Sequence, residues 1–224
     1  MGVQERRERE RDQTRARIMD AARELFARHG YDAVSMRKIA EAIEYSPTAI
    51  YVHFQDKEAL FRELCRADFG RLAGVFNELA RVKDPVERIG RIGHDYIRFA
   101  LEFPNHYRLM FMTPLAPPPD ATAMEHKGNP DEDAYAILKL AVTEAIAQKR
   151  FRPEYRNAEL ATQVLWATAH GVASLQITKG NDQWVDWRPI EDRSSAALGA
   201  ILRGMLADPP TLPKPHKARK AGAK

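Results

Sequence analysis

The chain contains a single cysteine, Cys65, among 224 residues. One thiol forms neither an internal disulfide nor a multi-thiolate metal cluster, so disulfide scaffolds and zinc fingers are excluded. No segment approaches the roughly 18 consecutive apolar residues of a membrane span, and the charged N-terminus lacks the apolar stretch of a secretion signal. We therefore expect a cytoplasmic protein with no membrane partner.

Motifs of catalysis are also missing. The seven histidines are scattered without the spacing of metal ligands, and the chain has no H-E-x-x-H, G-x-S-x-G or G-x-x-x-x-G-K-[ST] motif. Cys65 lies in a predicted helix, where we expect a buried and inert thiol rather than a nucleophile. The sequence therefore predicts no enzymatic activity, no metal site and no cofactor.

The net charge of +4 comes from the C-terminal end of the chain. Residues 1–65 carry 12 basic and 12 acidic side chains, whereas residues 214–224 carry five basic and no acidic ones. The net charge therefore does not indicate nucleic-acid binding, which has to be inferred from the local arrangement of residues. Four prolines lie between residues 209 and 215, and this basic end is predicted to be disordered, with a role in either solubility or non-specific attraction to DNA.

Apolar residues recur with helical spacing along the whole chain, and no alternating strand pattern is present. Capping residues, several of them followed by proline, predict helix starts at Ser35, Ser46, Asp56, Asp84 and Asn129. The fold class is therefore all-α with about nine helices. Three short N-terminal helices form a helix-turn-helix domain, and the later helices form a larger C-terminal bundle.

The segment from Pro47 to Phe54 has the properties of a DNA-recognition helix. Ile50 and Phe54 form an apolar inner face, and small or polar residues point outward near its start. Thr48 and Ala49 are suited to base edges and thymine methyl groups, and the hydroxyls and cations nearby are suited to phosphates. The predicted DNA contacts are Ser35, Arg37, Ser46, Pro47, Thr48, Ala49, Tyr51, His53 and Lys57.

About 45 residues from Ile18 to Leu60 resemble, in order and spacing, the N-terminal domain of TetR/AcrR-family transcriptional regulators. The resemblance rests on Ala21-Ala22, Leu25-Phe26, Gly30-Tyr31, Ser35-Met36-Arg37, Ile39-Ala40, Ser46-Pro47, Ile50-Tyr51, His53-Phe54 and Lys57 to Leu60. It implies a dimeric, usually repressing protein whose third helix enters the major groove. Glu44-Tyr45 replaces the Gly-Val common in the family's turn, and glutamate is strained where glycine adopts positive φ.

Aromatic side chains recur in the C-terminal body, where they indicate either an ordinary core or a small-molecule cavity. The predicted ligand-binding residues are Tyr96, Phe99, Phe103, Tyr107, Met110, Phe111, Tyr135, Trp166 and His170. Trp166 and His170-Gly171 are similar to a Trp…His-Gly signature of one TetR-type regulatory domain, which implies a sensing and dimerising role. His170 is predicted to bond either a ligand or only a neighbouring carbonyl group.

The last predicted helix carries a stripe of small residues, Ala196, Ala200 and Gly204. The stripe suits close approach of a second copy, as the resemblance implies, or of the body's own helices. We place a charged extension at residues 1–13, which is either a solvated helix end or an arm that brings Arg15 or Arg17 to DNA. The helix-turn-helix domain follows at 14–60, the ligand-binding and dimerisation domain at 61–206, and the tail at 207–224.

These patterns and the resemblance together predict a sequence-specific transcriptional regulator, either repressing or activating, and the resemblance favours repression. Its partners are a palindromic double-stranded DNA operator, a second copy of the chain and a small-molecule effector. The alternative is a helical small-molecule-binding protein with weak or no specific DNA binding, because Glu44 and the uncharged N-terminal balance are not ideal for phosphate.

Overall fold

The computed structural model describes residues 2–113, 127–129 and 132–207, and these residues form nine α-helices. The helices are α1 (Val3–His29), α2 (Met36–Ala42), α3 (Pro47–Tyr51), α4 (Lys57–Asn77), α5 (Pro85–Glu102), α6 (Pro104–Tyr107), α7 (Ala134–Ala147), α8 (Ala158–Lys179) and α9 (Ile190–Met205). A π-helical turn, Arg108–Met112, continues α6. Within these ranges β-pairing is limited to one isolated bridge between Phe151 and Leu206. The all-α prediction with about nine helices is confirmed; the predicted basic tail falls outside the described residues from 208 onward.

Four of the five predicted helix starts are capped as the sequence indicates. The Ser35, Ser46 and Asp56 side chains accept hydrogen bonds from the backbone N–H groups three residues later, at the starts of α2, α3 and α4. Asp84 accepts from two N–H groups at the start of α5. Each bond satisfies a donor that has no partner within its helix, which fixes where the helix begins.

The predicted start at Asn129 is wrong, because α7 begins at Ala134. Asp133 is the cap, and its Oδ1 accepts hydrogen bonds from the N–H groups of Tyr135 and Ala136 at 2.9 and 3.2 Å. Its Oδ2 accepts a third bond from the N–H of Gly128. A carboxylate that satisfies three backbone donors fixes the helix start at this later position.

The apolar core has two parts. Ile18, Phe26, Ile39, Ile50 and their neighbours form an N-terminal cluster around α1 to α3. A larger C-terminal cluster surrounds α5, which packs against α7, α8 and α9. Helix α4 belongs to both, since Leu64 lies in the first cluster and Leu72 in the second. No helix in the described ranges has the length and apolar character needed to cross a membrane.

The turn between α2 and α3 keeps a left-handed conformation although glutamate occupies it. Glu44 has φ 60°, which costs a residue with a side chain about 1 kcal/mol relative to glycine. We expect Glu44→Gly to raise the free energy of unfolding by about 0.5–1 kcal/mol, measured by urea denaturation. Glu41→Gly is the matched control, since Glu41 is helical and glycine should lower the stability there. A loss of stability in Glu44→Gly would contradict the argument.

Candidate DNA interface and internal cavity

Helix α3 presents its N-terminal end to solvent. Ile50 is fully buried beneath it, whereas Ser46, Pro47 and Thr48 are exposed and Ala49 is half-buried. Tyr51 is 53% exposed although it is aromatic. An exposed aromatic hydroxyl beside an exposed threonine is a surface suited to the edges and backbone of a nucleic acid.

Helix α2 adds polar groups to the same surface. Ser35 and Arg37 are exposed at its start, and the Arg37 guanidinium donates to Glu41 Oε1 at 2.8 Å. This is a solvent-exposed pair between residues four apart, and such pairs contribute little to stability. A phosphate can therefore compete with Glu41 for Arg37 at small cost.

Lys57, a predicted DNA contact, and Arg15, a candidate for the N-terminal arm, both bind groups inside the domain instead. Lys57 Nζ donates to the carbonyl groups of Tyr31 and Val34 at 3.1 and 3.0 Å and lies over the Tyr31 ring. Arg15 binds the Glu63 carboxylate, donates to the His53 carbonyl and lies over the Phe54 ring. Both cations hold helices together. The hypothesis of an N-terminal arm on DNA is therefore not supported for Arg15. At Lys57, the backbone N–H groups at the start of α4 remain suited to phosphate, whereas the ammonium group is already bound.

His53 is half-buried at the end of the α3 segment. Burial, together with the nearby positive charges of Arg11 and Arg15, lowers the pKa of its imidazole. The ring is therefore neutral near pH 7 rather than the cation that the sequence suggests. Nδ1 is enclosed without a hydrogen-bond partner, so a contact with phosphate would have to use Nε2.

The C-terminal bundle encloses a cavity of about 560 Å³. Its walls come from α4, α5, the π-helical turn, α7, α8 and α9, and most of the lining is apolar. Gly93 on α5 allows Leu198 of α9 to pack directly against its backbone, and both residues line the cavity. The volume is that of a site for a small organic molecule.

A neutral hydrogen-bonded cluster includes two residues of the cavity lining, Tyr96 and Trp166. The hydroxyl groups of Tyr96 and Tyr107 lie 3.1 and 2.7 Å from His170 Nδ1, and Trp166 Nε1 donates to Tyr96 Oη at 3.2 Å. Burial raises the pKa of both tyrosines, that of Tyr107 to about 12, and lowers the pKa of His170. All four side chains are therefore uncharged near neutral pH.

Five of the nine predicted ligand-binding residues line the cavity: Tyr96, Met110, Phe111, Tyr135 and Trp166. Phe99 and Phe103 do not; their rings pack on each other and Phe103 lies under the Arg71 guanidinium. Tyr107 and His170 stand behind the wall, and His170 Nδ1 contacts tyrosine hydroxyls, which is neither of the two alternatives that the sequence suggested. For these four residues a direct ligand contact is not supported.

Sequence reasoning missed most of the aliphatic wall and all of its acidic groups. The acidic residues Asp133 and Glu159 line the cavity together with the neutral Gln163, as do Phe69 and Phe76 of α4. The spacing of Ile89, Gly93 and Tyr96 on one face of α5 was a usable signal. The contributions of α4 and α9 carry no comparable local signal.

The small-residue stripe on α9 faces outward. Ala196, Ala200 and Gly204 are all exposed, as are Leu160 and Leu175 on the neighbouring helix α8. Leu198 on the opposite face of α9 is buried in the bundle core. The stripe is therefore not covered by the body's own helices, the alternative that the sequence left open.

The only cysteine is unsuited to nucleophilic chemistry. Burial raises the pKa of the Cys65 thiol to about 12, with a further contribution from the negative charge of Asp68. A thiol with this pKa is protonated at neutral pH and is a weak nucleophile.

Two family models match the chain. Residues 18–64 match the model of bacterial regulatory proteins of the tetR family, and residues 89–189 match the C-terminal domain model of tetracyclin-repressor-like proteins. The first model covers α2, α3 and most of the N-terminal core, and the second covers much of the cavity wall. Family members are transcriptional regulators rather than enzymes.

Curated relatives include regulators of transcription. The chain is 48% identical over 61 residues to the HTH-type transcriptional repressor Rv1474c of Mycobacterium tuberculosis, an alignment over 27% of this chain and 33% of that protein. It is 28% identical over 200 residues to the HTH-type transcriptional regulator UidR of Escherichia coli K12, over 86% of this chain and 93% of that one. A TetR-family regulator from Marinobacter aquaeolei VT8 has the same fold, with TM-score 0.71, 20% identity and coverage of 89% and 98% of the two chains.

Proposed function

Since the chain belongs to the TetR family of helix-turn-helix transcriptional regulators, we propose that it is a ligand-responsive repressor that binds a palindromic operator as a homodimer. The observation that carries the proposal is the exposed end of α3 above the buried Ile50. Members of the family bind DNA operators and usually dimerise. The cavity in the C-terminal bundle supplies the proposed effector site.

Each subunit inserts α3 into the major groove of one half-site. Thr48 and Ala49 read base edges, while Ser35, Arg37 and Tyr51 bind phosphates on either side. The exposed face of α8 and α9 supports dimerisation, since Leu160, Leu175 and the small-residue stripe of α9 leave an apolar surface that a second copy can cover. Two copies then place two α3 helices on one side of the duplex, about one helical turn or somewhat more apart.

A gel-shift titration on DNA upstream of the protein's own coding region tests the proposal. We expect salt-sensitive retardation that depends on both halves of a palindrome, together with dimers in sedimentation velocity. Retardation that does not depend on the palindrome, or the absence of retardation at low salt, would instead favour the alternative of a helical small-molecule-binding protein. Monomers at every concentration would contradict the dimeric arrangement.

The roles of Tyr51 and Thr48 predict different effects of substitution. Tyr51→Ala removes a phosphate contact and should weaken binding to all sequences by a similar factor, on the order of tenfold. Thr48→Ala removes a base contact and should change the ranking of operators that differ at one base pair, by about 1–3 kcal/mol at that position. Fluorescence anisotropy on a panel of operator variants measures both.

Thr143→Ala on α7 is the matched control for Thr48→Ala, because Thr143 is exposed in the C-terminal bundle and bonds only its own helix. It should leave every operator affinity unchanged. If Thr48→Ala and Tyr51→Ala both shift affinity equally on every operator, the division of roles between base and backbone contacts is wrong.

A further inference from the structure

We propose that the cavity takes an apolar ligand with a positively charged amine, placed so that the amine lies at the Glu159 end. The inference rests on the proposed effector role of the cavity and names the chemical class of its ligand. It is carried by the charges of the lining residues and by where they lie.

The charged groups of the lining are acidic. Among the described residues that line the cavity, Asp133 and Glu159 are carboxylates, and none is a lysine or arginine. Lys139 lies just outside the lining, and its Nζ lies 2.6 Å from Glu159 Oε2. Lys139 offsets the charge of Glu159 and the N-terminus of α7 offsets part of that of Asp133, so the described lining residues keep a small negative balance.

Glu159 can accept a further donor. Its Oε1 accepts hydrogen bonds from Tyr135 Oη at 2.5 Å and Gln163 Nε2 at 3.3 Å, and Oε2 binds Lys139. A carboxylate has about four lone-pair sites, and the Glu159 side chain is 47% exposed. Hydrogen bonds from Lys139 and Tyr135 lower the pKa of Glu159 to about 2, so it is charged at any ordinary assay pH.

Away from Glu159, the lining residues that the structure describes offer no positive charge to an anion. Tyr96 and Trp166 are neutral and hydrogen-bonded to each other, and the neutral His170 lies behind them. A carboxylate moved there would lose its water without gaining a cation, which is costly. The ligand body is therefore apolar, and its charged group remains beside the half-exposed Glu159.

A matched set of ten-carbon compounds tests the inference: decylammonium, 1-decanol and decanoate, titrated by calorimetry at low salt into the full-length protein. We expect decylammonium to bind about fivefold more tightly than decanol, and decanoate about fivefold more weakly, as for partly exposed charge interactions. The spread between the amine and the acid should shrink as salt rises, because exposed charges are screened.

Two substitutions of one ion pair should move the preference in opposite directions. Glu159→Gln leaves Lys139 without its carboxylate partner beside the cavity, so the amine-to-acid ratio should fall severalfold. Lys139→Gln leaves Glu159 unpaired, so that ratio should rise. Glu154→Gln is the matched control, since Glu154 is exposed and lies outside the cavity lining, and it should leave the ratio unchanged.

The inference is overturned if decanoate or decanol binds as tightly as decylammonium, if none of the three binds, or if both pair substitutions leave the ratio unchanged. Operator affinity without ligand is measured separately by anisotropy. A protein that binds its operator but prefers decanoate refutes the ligand class alone, whereas one that prefers decylammonium but binds no operator refutes the proposed function.

Discussion

Replacing Asp68 by alanine is expected to lower the free energy of unfolding by about 3–5 kcal/mol, which is the usual cost of leaving one member of a buried ion pair without its partner. Asp68 is 2% exposed on α4, and both of its oxygens accept hydrogen bonds from the Arg23 guanidinium of α1, at 3.0 and 3.1 Å. His106 of α6 lies 2.9 Å from the same carboxylate. The substitution would leave a guanidinium that is only 8% exposed with the exposed Asp20 as its one remaining carboxylate among the described residues.

Asp20→Ala provides the control, because Asp20 binds the same arginine from a side chain that is 77% exposed. We expect a loss below about 0.5 kcal/mol there, as for exposed pairs in general. Urea denaturation followed by circular dichroism measures both variants. If Asp68→Ala unfolds at the same urea concentration as Asp20→Ala, the buried pair does not hold α1 and α4 together as argued.

Local chemistry made much of the fold predictable. The caps at Ser35, Ser46 and Asp56 depend on a side chain and a backbone group three residues apart, so the sequence contains the whole interaction. The exposed end of α3 follows in the same way from the spacing of Ile50 and Phe54. The start of α7 was predicted wrongly because two candidate caps, Asn129 and Asp133, lie close together in the sequence. Which of them caps the helix depends on the backbone geometry.

Interactions between distant segments were not predictable. Arg23 and Asp68 are 45 residues apart, and nothing near either residue indicates the other. The same limit explains Lys57, whose ammonium is held by carbonyl groups 23 and 26 residues away. A charge that looks free in the sequence is therefore used inside the domain.

The helical spacing of apolar residues predicted which face of α5 lines the cavity, but not how far along the helix axis the cavity extends. Tyr96 lines the cavity, whereas Phe99 and Phe103, about 4.5 and 10 Å further along the axis, lie beyond it. Only the packing of α4 and α6 against α5 determines where the cavity ends. The acidic groups were not predictable from the aromatic pattern, because Glu159 has the sequence context of an ordinary first-turn acid of α8.

The second large loss of stability is expected on substitution of Leu109, which lies on the π-helical turn but is buried in the N-terminal cluster. Its neighbour Met110 belongs to the C-terminal cluster and lines the cavity with Phe111. Adjacent residues of one short segment thus contact the core of the DNA-binding domain and the wall of the cavity. Leu109→Ala should cost about 2–5 kcal/mol of stability, because the side chain is 1% exposed and its removal leaves a cavity.

Leu109→Ala should also weaken the link between ligand and operator. A ligand shifts operator affinity only if the two sites bias the same structural element, and this segment contacts both the core of the DNA-binding domain and the wall of the cavity. In the folded variant, the ratio of operator affinities without and with decylammonium should approach one, while operator affinity without ligand changes little. Met110→Ala is the control for stability and ligand binding, since it alters the cavity wall and leaves the N-terminal cluster intact. An unchanged ratio in Leu109→Ala would show that the signal takes another route, such as α4, which also belongs to both clusters.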